Sequence, residues 1–458
     1  MDGVERLLRA GGIEVVGANQ PADLVVVNTC AVTAMADRKS RHAVRRARRA
    51  NPEARVLVTG CSVVVDAETL AAADPAARFF DNESKGLLLA ELARLIEPLD
   101  GRPLPTLSGV RPADDPAAAS IRAWGAGTAD LDAGEGSLGE ESQRTAIDRT
   151  RAFVKIQDGC SFHCTYCVIP RARGSERSVP ADAVLADVTG AHAAGHREVV
   201  LTGINAGSYS DGAMALAGLV RRVLAETCVE RIRLSSIEPQ HVTDELLAVW
   251  VGSAGRCLPH FHIPLQSGDD TILRRMGRRY DSAAYAALVA RVRAALPAAA
   301  IHADLIVGFP GEDDAAWART IEFLRSLDLA GVHVFRYSVR PGTPAARMVG
   351  QVDGPTRKRR AAEALALAAE ARAGFAERQL GRELRVLFEG MLPDGRWIGH
   401  AESHSPVAVV APGGEQLRNV IGLVRAESTD PDAPDRIVGR LLEVDEPPIR
   451  RRSEQTAR

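Results

Sequence analysis

No apolar run in this 458-residue chain is long enough to cross a bilayer, which sets aside a membrane-spanning helical protein, since one span needs about 20 such residues. A secretory leader is not expected either. MDGVERLLRAGG has no basic start, no apolar core and no small-residue cleavage site. An excess of charge of one sign is equally absent. With 57 Lys and Arg against 59 Asp and Glu, the formal net charge is −2, so any nucleic-acid contact has to come from a local patch and not from the molecule's overall field. Cysteine is sparse, at seven residues. Without an export signal the expected location is cytoplasmic with reduced thiols, where clustered cysteines point to a metal before a disulfide. The length, at 46% hydrophobic residues, suffices for two to four domains.

Three of the cysteines stand close together in KIQDGCSFHCTYCVIPRARG (155–174), where Cys160, Cys164 and Cys167 form a CxxxCxxC triad after an apolar strand-like stretch. Three thiolates on one loop can hold three irons of a 4Fe-4S cube and leave the fourth iron to a non-protein ligand. Such a vacancy is a catalytic feature, because electron-transfer clusters and structural zinc sites usually have four protein ligands. A zinc reading has to recruit His163 or a distant cysteine.

From Phe153 onward, short β-rich runs alternate with helix-forming sequence: AFVKIQ (152–157), EVVLTG (198–203), RIRLSSI (231–237), FHIPLQS (261–267), IHADLIVGF (301–309) and GVHVFRYSV (331–339). Six such units predict an incomplete parallel (β/α)6 barrel. Polar and glycine residues follow each run: the Cys loop after the first, Gly203 and Asn205 after the second, Glu238 after the third, Gln266 and Ser267 after the fourth, Gly308 after the fifth and Arg340 to Gly342 after the sixth. Each alone reads as an ordinary turn. Together they fall where parallel barrels build their active sites.

The radical segment, KIQDGC-x3-C-x2-C-xIPxARG, resembles the radical S-adenosylmethionine (SAM) enzymes, and its flanks resemble the methylthiotransferases among them. This resemblance implies a cluster whose free iron chelates SAM and cleaves it by one electron to a 5′-deoxyadenosyl radical. It also bears on two earlier strands, LVVVNTC (24–30) and RVLVTGC (55–61), which each end in a cysteine. From the residues alone, Cys30 and Cys61 are either small buried hydrophobes or two ligands of one metal. NTCAVTAMADRKSR and VTGCSVVVDAETL look like the methylthiotransferase N-terminal domain, which implies a second, auxiliary 4Fe-4S cluster held by three cysteines and taking part in sulfur delivery. Only two of the three are seen here, so either the chain starts late, or the cluster takes a ligand from elsewhere, or the protein is impaired; a late start is the expectation, since a missing edge strand would also leave a sheet unpaired.

The expected organisation is therefore α/β: an N-terminal parallel-sheet domain (1–98), a Gly-, Pro- and Ala-rich linker (99–147), the radical SAM partial barrel (148–378), a small antiparallel β barrel (379–446) resembling the family's RNA-contacting TRAM domain, and a disordered tail (447–458). RKSRHAVRRARRANPEAR (38–55) carries eight Lys or Arg with no acidic residue before Glu53, around an apolar stripe of Ala43, Val44 and Ala47. That is either a solvated helix face or a phosphate-binding one. Cys228 and Cys257 are read as packing residues.

NTCAVTAMADRKSR, KIQDGC and RIRLSSIEP look most like the branch acting on N6-threonylcarbamoyladenosine next to the tRNA anticodon. The resemblance implies Cys160, Cys164 and Cys167 for the radical cluster, Gly203, Asn205, Glu238, Gln266 and Gly308 around SAM and substrate, Cys30 and Cys61 for the auxiliary cluster, the tRNA anticodon stem-loop as partner and a low-potential electron donor. Hydrogen abstraction from adenine carbon 2 and delivery of a methylated sulfur to it would then explain two clusters in one chain. The alternatives are a methylthiotransferase for isopentenyladenosine in tRNA or for a ribosomal protein, and a non-catalytic RNA-binding relic.

Overall fold

The computed structural model describes residues 20–96 and 150–445, apart from Val32, Glu83, Pro412 and Gly413, together with Val4, Leu8 and residues 14–16. The expected linker, the tail and most of residues 1–19 lie outside the described residues.

The N-terminal unit is a parallel sheet of β1 (Leu24–Thr29), β2 (Arg55–Gly60) and β3 (Arg78–Phe80), paired in the order β1-β2-β3. β3 has only three residues, RFF, too short for a sequence pattern to reveal. Around the sheet run α1 (Ala34–Ala50), α2 (Cys61–Val65), α3 (Ala67–Ala73) and α4 (Lys85–Ile96). α1 starts where Thr33 Oγ1 accepts the Ala36 N–H at 3.0 Å, a satisfied N-cap. Its apolar stripe is real: Val44 is fully buried against Val56, Val58, Val63 and Leu70.

The central unit has six parallel strands: β4 (Arg151–Lys155), β5 (Glu198–Thr202), β6 (Arg231–Leu234), β7 (His260–His262), β8 (Ala300–Val307) and β9 (Gly331–Arg336). Hydrogen bonding groups them as β6-β5-β4 and β7-β8-β9. The two halves join through residues 256–258, where Ile232 bonds Arg256 O at 2.7 Å and Leu258 N at 2.9 Å. The fold is thus the expected incomplete barrel, with a seam between its third and fourth strands. In β8, Ile301, Ala303, Leu305 and Val307 enter the main core, while the alternate residues His302, Asp304 and Ile306 are half-buried and face the lumen.

Between the strands lie α5 (Ile169–Arg173), α6 (Ala181–Ala193), α7 (Leu216–Glu226), α8 (Asp244–Val251), α9 (Asp270–Met276), α10 (Ser282–Ala295) and α11 (Asp314–Ser326), followed by the long α12 (Gly354–Glu377). Four of these open on an aspartate cap, Asp269, Asp281, Asp313 or Asp353, that accepts the third backbone N–H at 2.7 to 2.9 Å. Each cap contributes about 1 kcal/mol and fixes where the preceding loop must end. Among the described residues, no helix is long and apolar enough to cross a membrane.

The C-terminal unit is a closed barrel of β10 (Glu383–Met391), β11 (Trp397–His400), β12 (Pro406–Val409), β13 (Ile421–Asp430) and β14 (Ala433–Val444). Its pairings are antiparallel except β12 with β14, which is parallel and closes the ring. It docks on the N-terminal ends of the central strands. Glu198 holds Arg231 and Arg233 at 2.7 and 2.8 Å, and these arginines donate to the carbonyls of Arg385, His400, Ala401 and Glu402. Arg151 meets Glu389 at 3.3 Å and His404 at 2.9 Å. The docking surface is therefore at the opposite end of the strands from the Cys loop.

Candidate active site

The cysteine loop leaves β4 through Gln157 and Asp158 and is tied down on three sides. Gln157 Nε2 donates to Gly159 O at 2.8 Å, Cys160 N to Gly174 O at 3.1 Å and Cys167 N to Cys164 O at 3.0 Å. Thr165 bonds the last turn of α9 through Met276 O and Arg275 O, both at 2.9 Å, and its carbonyl accepts Ala345 N at 2.9 Å from the loop after β9. Tyr166 sets its ring edge-on to Phe309, 6.4 Å between centroids.

Three donors point at the sulfurs. Phe162 N–H reaches Cys160 Sγ at 3.4 Å, Ile169 N–H reaches Cys167 Sγ at 3.4 Å, and Arg278 Nη1 reaches Cys164 Sγ at 3.3 Å. Burial pushes the Cys160 thiol up to about 11 and the Cys167 thiol up to about 12, with the backbone donors pulling the other way and the neighbouring sulfurs adding to the rise. Three soft donors crowded in one half-buried loop, with N–H groups aimed at their sulfurs, suit an iron–sulfur cluster.

Around this loop the expected residues separate into two groups. Asn205 N donates to Gln157 Oε1 at 2.8 Å, and its Nδ2 to Glu176 Oε1 at 3.1 Å. Asn205 Oδ1 is buried with no hydrogen-bond partner among the described residues, an acceptor available to a ligand. Gly203 lies against Gln157. Glu238 pairs with Arg278, the residue that also donates to Cys164. Gly203, Asn205 and Glu238 thus converge on the cysteine loop. Gln266 and Gly308 belong to the strand ends instead. Gln266 takes φ +71° while its N bonds Asp304 O at 2.7 Å; Gly308 N bonds Glu312 Oε1 at 2.8 Å and faces Arg357. Their link to the site is indirect: Gly308 precedes Phe309, whose ring meets Tyr166, and Gln266 follows Leu265, whose carbonyl accepts from Tyr280 Oη, itself a partner of Arg278.

Several participants had no readable signal in sequence. Arg278 sits in GRRYDS, and only the turn after α9 brings it to Cys164. In the lumen, His262 Nε2 meets Asp304 Oδ1 at 2.6 Å, His333 Nδ1 meets the same oxygen at 3.2 Å, and Ser236 Oγ holds His262 Nδ1 at 2.8 Å. Burial would raise the Asp304 carboxyl, but the two imidazoles hold it well below the carboxylate range. The strand periodicity of IHADLIV hid this set, because it marks a lumen face without saying which strands share it.

The N-terminal unit meets the same loop. Thr29 and Gly60 are register partners, so Cys30 and Cys61 follow the same end of neighbouring strands. Gly60 has φ +107°, and a Cβ there would lie 2.1 Å from Thr29 O; only glycine lets the two cysteine-bearing turns approach so closely. Cys61 is buried and Cys30 exposed. Arg173 Nε donates to Cys61 Sγ at 3.2 Å, Asn82 Nδ2 lies 3.8 Å from the same sulfur, and α2 packs against α5 around Ala31, Cys61 and Ala172. Arg340 pairs with the buried Asp37, whose carboxylate also accepts Ser62 Oγ at 3.0 Å.

Two expectations need correction. The cations of α1 are not all unpartnered: Arg41 meets Asp66 and Arg48 meets Asp74, each at 2.9 Å, because acidic residues of other elements fold against them. Arg38, Lys39, Arg45, Arg46 and Arg49 stay on the accessible side of the helix, half-buried at most. Cys228 is exposed and so packs nothing, whereas Cys257 is buried as expected.

Two family models match, the Radical SAM superfamily over residues 154–324 and Uncharacterized protein family UPF0004 over residues 1–80. The threonylcarbamoyladenosine tRNA methylthiotransferase MtaB of Chlamydia pneumoniae is 36% identical over 348 residues, covering 76% of this chain and 73% of the relative. Its counterpart in Bacillus subtilis (strain 168) is 32% identical over 417 residues, covering 89% and 86%. The tRNA-2-methylthio-N(6)-dimethylallyladenosine synthase of Maricaulis maris (strain MCS10) is 38% identical over 302 residues, covering 64% and 65%. In fold, the chain is similar to the radical S-adenosylmethionine methyltransferase TsrM of Kitasatospora setae, at TM-score 0.51 and 16% identity, covering 72% of this chain and 67% of that one.

Proposed function

Because this chain belongs to the radical SAM methylthiotransferases, we propose that it places a methylthio group on tRNA, at carbon 2 of N6-threonylcarbamoyladenosine beside the anticodon. The observation that carries the substrate is similarity along most of the chain to relatives named for that activity, including 89% of this chain for the Bacillus subtilis protein.

The residues divide the work by position. A 4Fe-4S cluster supplies the one-electron chemistry that cleaves SAM. Cys160, Cys164 and Cys167 would hold it, with Arg278 and the backbone N–H groups of Phe162 and Ile169 orienting the sulfurs. Asn205 offers its vacant Oδ1 to SAM or the target nucleoside. Gly203 and Glu238 frame the same space, while Gln266 and Gly308 shape its rim. Cys30 and Cys61 are the thiols that the described residues of the N-terminal unit offer to an auxiliary cluster. Its proximity to the radical loop through Arg173 and Asn82 supports a role in sulfur delivery. The accessible cations of α1 suit the tRNA phosphates, and a low-potential donor would reduce the radical site. A cytoplasmic location goes with work on tRNA.

Expression in a strain lacking this modification, followed by mass spectrometry of digested tRNA, tests the reading. Methylthiolated threonylcarbamoyladenosine is expected. Methylthiolation of isopentenylated adenosine instead would establish the second reading, which the 38% identity to the Maricaulis maris protein favours.

A further inference from the structure

The sequence motif around the radical cysteines closes on Arg173 and Gly174, and Arg173 has so far been given no role of its own. Its guanidinium lies between the two sulfur-bearing regions. Nε donates to Cys61 Sγ at 3.2 Å, and Nη1 donates to Asp158 Oδ1 at 2.9 Å. Asp158 is the residue two before Cys160, and its other oxygen is held by Lys155 Nζ at 2.6 Å. Its Oδ1 also accepts Gly159 N at 2.8 Å, within the turn that presents Cys160. One side chain therefore touches the Cys61 sulfur at one end and the base of the radical loop at the other. Its side chain is 13% exposed.

We propose that Arg173 is a positioning residue that couples the auxiliary sulfur centre to the radical loop, fixing the Cys61 sulfur against the site of hydrogen abstraction. The inference rests on the reading of Cys61 as an auxiliary-cluster ligand. The physical reason for arginine is its planar fork, which donates in two directions at once, whereas a lysine ammonium is a single point. An N–H donor on a cluster thiolate also tunes that cluster's electronic state. Domain docking does not hang on Arg173. Arg340 with Asp37, and Asn82 Nδ2 on Ala172 O at 2.6 Å, hold the two units together separately.

The test compares Cys61→Ser, Arg173→Gln and Arg173→Lys as full-length reconstituted enzymes. The readouts are iron content, the electron paramagnetic resonance spectrum of the reduced clusters, and the ratio of 5′-deoxyadenosine formed to nucleoside methylthiolated. Cys61→Ser is expected to lose about half the iron; unchanged iron and spectrum would remove the reading of Cys61 and the inference with it. If that reading stands, both Arg173 variants are expected to keep wild-type iron and SAM cleavage. They should shift the auxiliary signal and raise the ratio about tenfold or more, with Lys failing to rescue. A wild-type ratio and spectrum in Arg173→Gln, loss of the auxiliary iron, or full rescue by Lys would each overturn the coupling role.

Discussion

Gly159→Ala is expected to disable the radical site without unfolding the protein. Gly159 has φ +72°, and a Cβ there would lie 2.0 Å from Ser175 O, 2.7 Å from Ser175 C and 2.8 Å from Gly174 O. All three are backbone atoms, so the chain must retreat by roughly 1 Å or more to restore van der Waals spacing. Holding alanine in the left-handed region costs about 1–2 kcal/mol, and losing the Cys160 N–H to Gly174 O bond costs about 1 kcal/mol more. Gly159 and Cys160 lie outside the buried clusters, so global stability should change little. Placement of Cys160 should suffer instead, and an error of about 1 Å in a reacting constellation costs on the order of 100-fold in rate. Gly195→Ala is the matched control, with φ +96° but no atom within 4 Å of the added carbon. The assay is 5′-deoxyadenosine formation after anaerobic reconstitution, with iron content and thermal melting alongside. If Gly159→Ala cleaves SAM at the wild-type rate with full iron, the argument from backbone crowding is wrong.

Cys164→Ala is expected to abolish SAM cleavage, because two thiolates cannot retain a cube with one distinct iron; normal 5′-deoxyadenosine formation would refute the assignment. Replacing Arg45, Arg46 and Arg49 by Gln should weaken tRNA binding and flatten its dependence on salt, by about one unit of slope for each phosphate no longer neutralised, as read by titration at several salt concentrations. Arg48 is left in place because it holds Asp74 and two backbone carbonyls. For Glu389, burial alone would raise the carboxyl, but His400 and Arg151 hold it down to about 2 from 4.5. A carboxyl depressed in the folded state stabilises it above the unfolded pKa, so this contribution, about 3 kcal/mol, should fade as pH falls from about 4.5 toward about 2. Glu389→Gln should lack that acid slope in melts and be less stable near neutral pH.

Sequence was most informative where chemistry and local geometry coincide. The triad Cys160, Cys164 and Cys167 shares one loop, so its spacing is its structure. The six barrel strands were legible because each lies in a short run of β-branched, aromatic or leucine residues between helical patterns, although the extended runs overshot. FHIPLQS is regular strand only up to His262, in β7; Pro264 has no N–H to donate, and pairing with β8 returns only as an isolated bridge at Gln266, whose φ is positive. What could not be read is whatever depends on which strands become neighbours. Arg278 on Cys164, Asp304 between two histidines, and Arg340 on Asp37 join residues far apart in the chain, and no periodicity encodes the pairing. The basic run of α1 misled for the same reason: its acidic partners, Asp66 and Asp74, lie beyond the helix.

The two ends of the central barrel solve different problems with the same residue type. At the N-terminal strand ends, Arg231 and Arg233 share Glu198 and spend their remaining N–H groups on carbonyls of the C-terminal barrel. Glu198 is 1% exposed, and paired burial of that kind tolerates no missing partner. At the opposite end, Arg278 and Arg173 donate to sulfur while pairing with Glu238 and Asp158. There Asn205 Oδ1 is left without a hydrogen-bond partner among the described residues. Arginines that end on carboxylate and carbonyl oxygens suit permanent docking, and arginines that end on thiol sulfurs suit a site that is to hold a cluster. The C-terminal barrel thus closes the end of the central strands opposite the cysteine loop and leaves the loop end to the N-terminal unit.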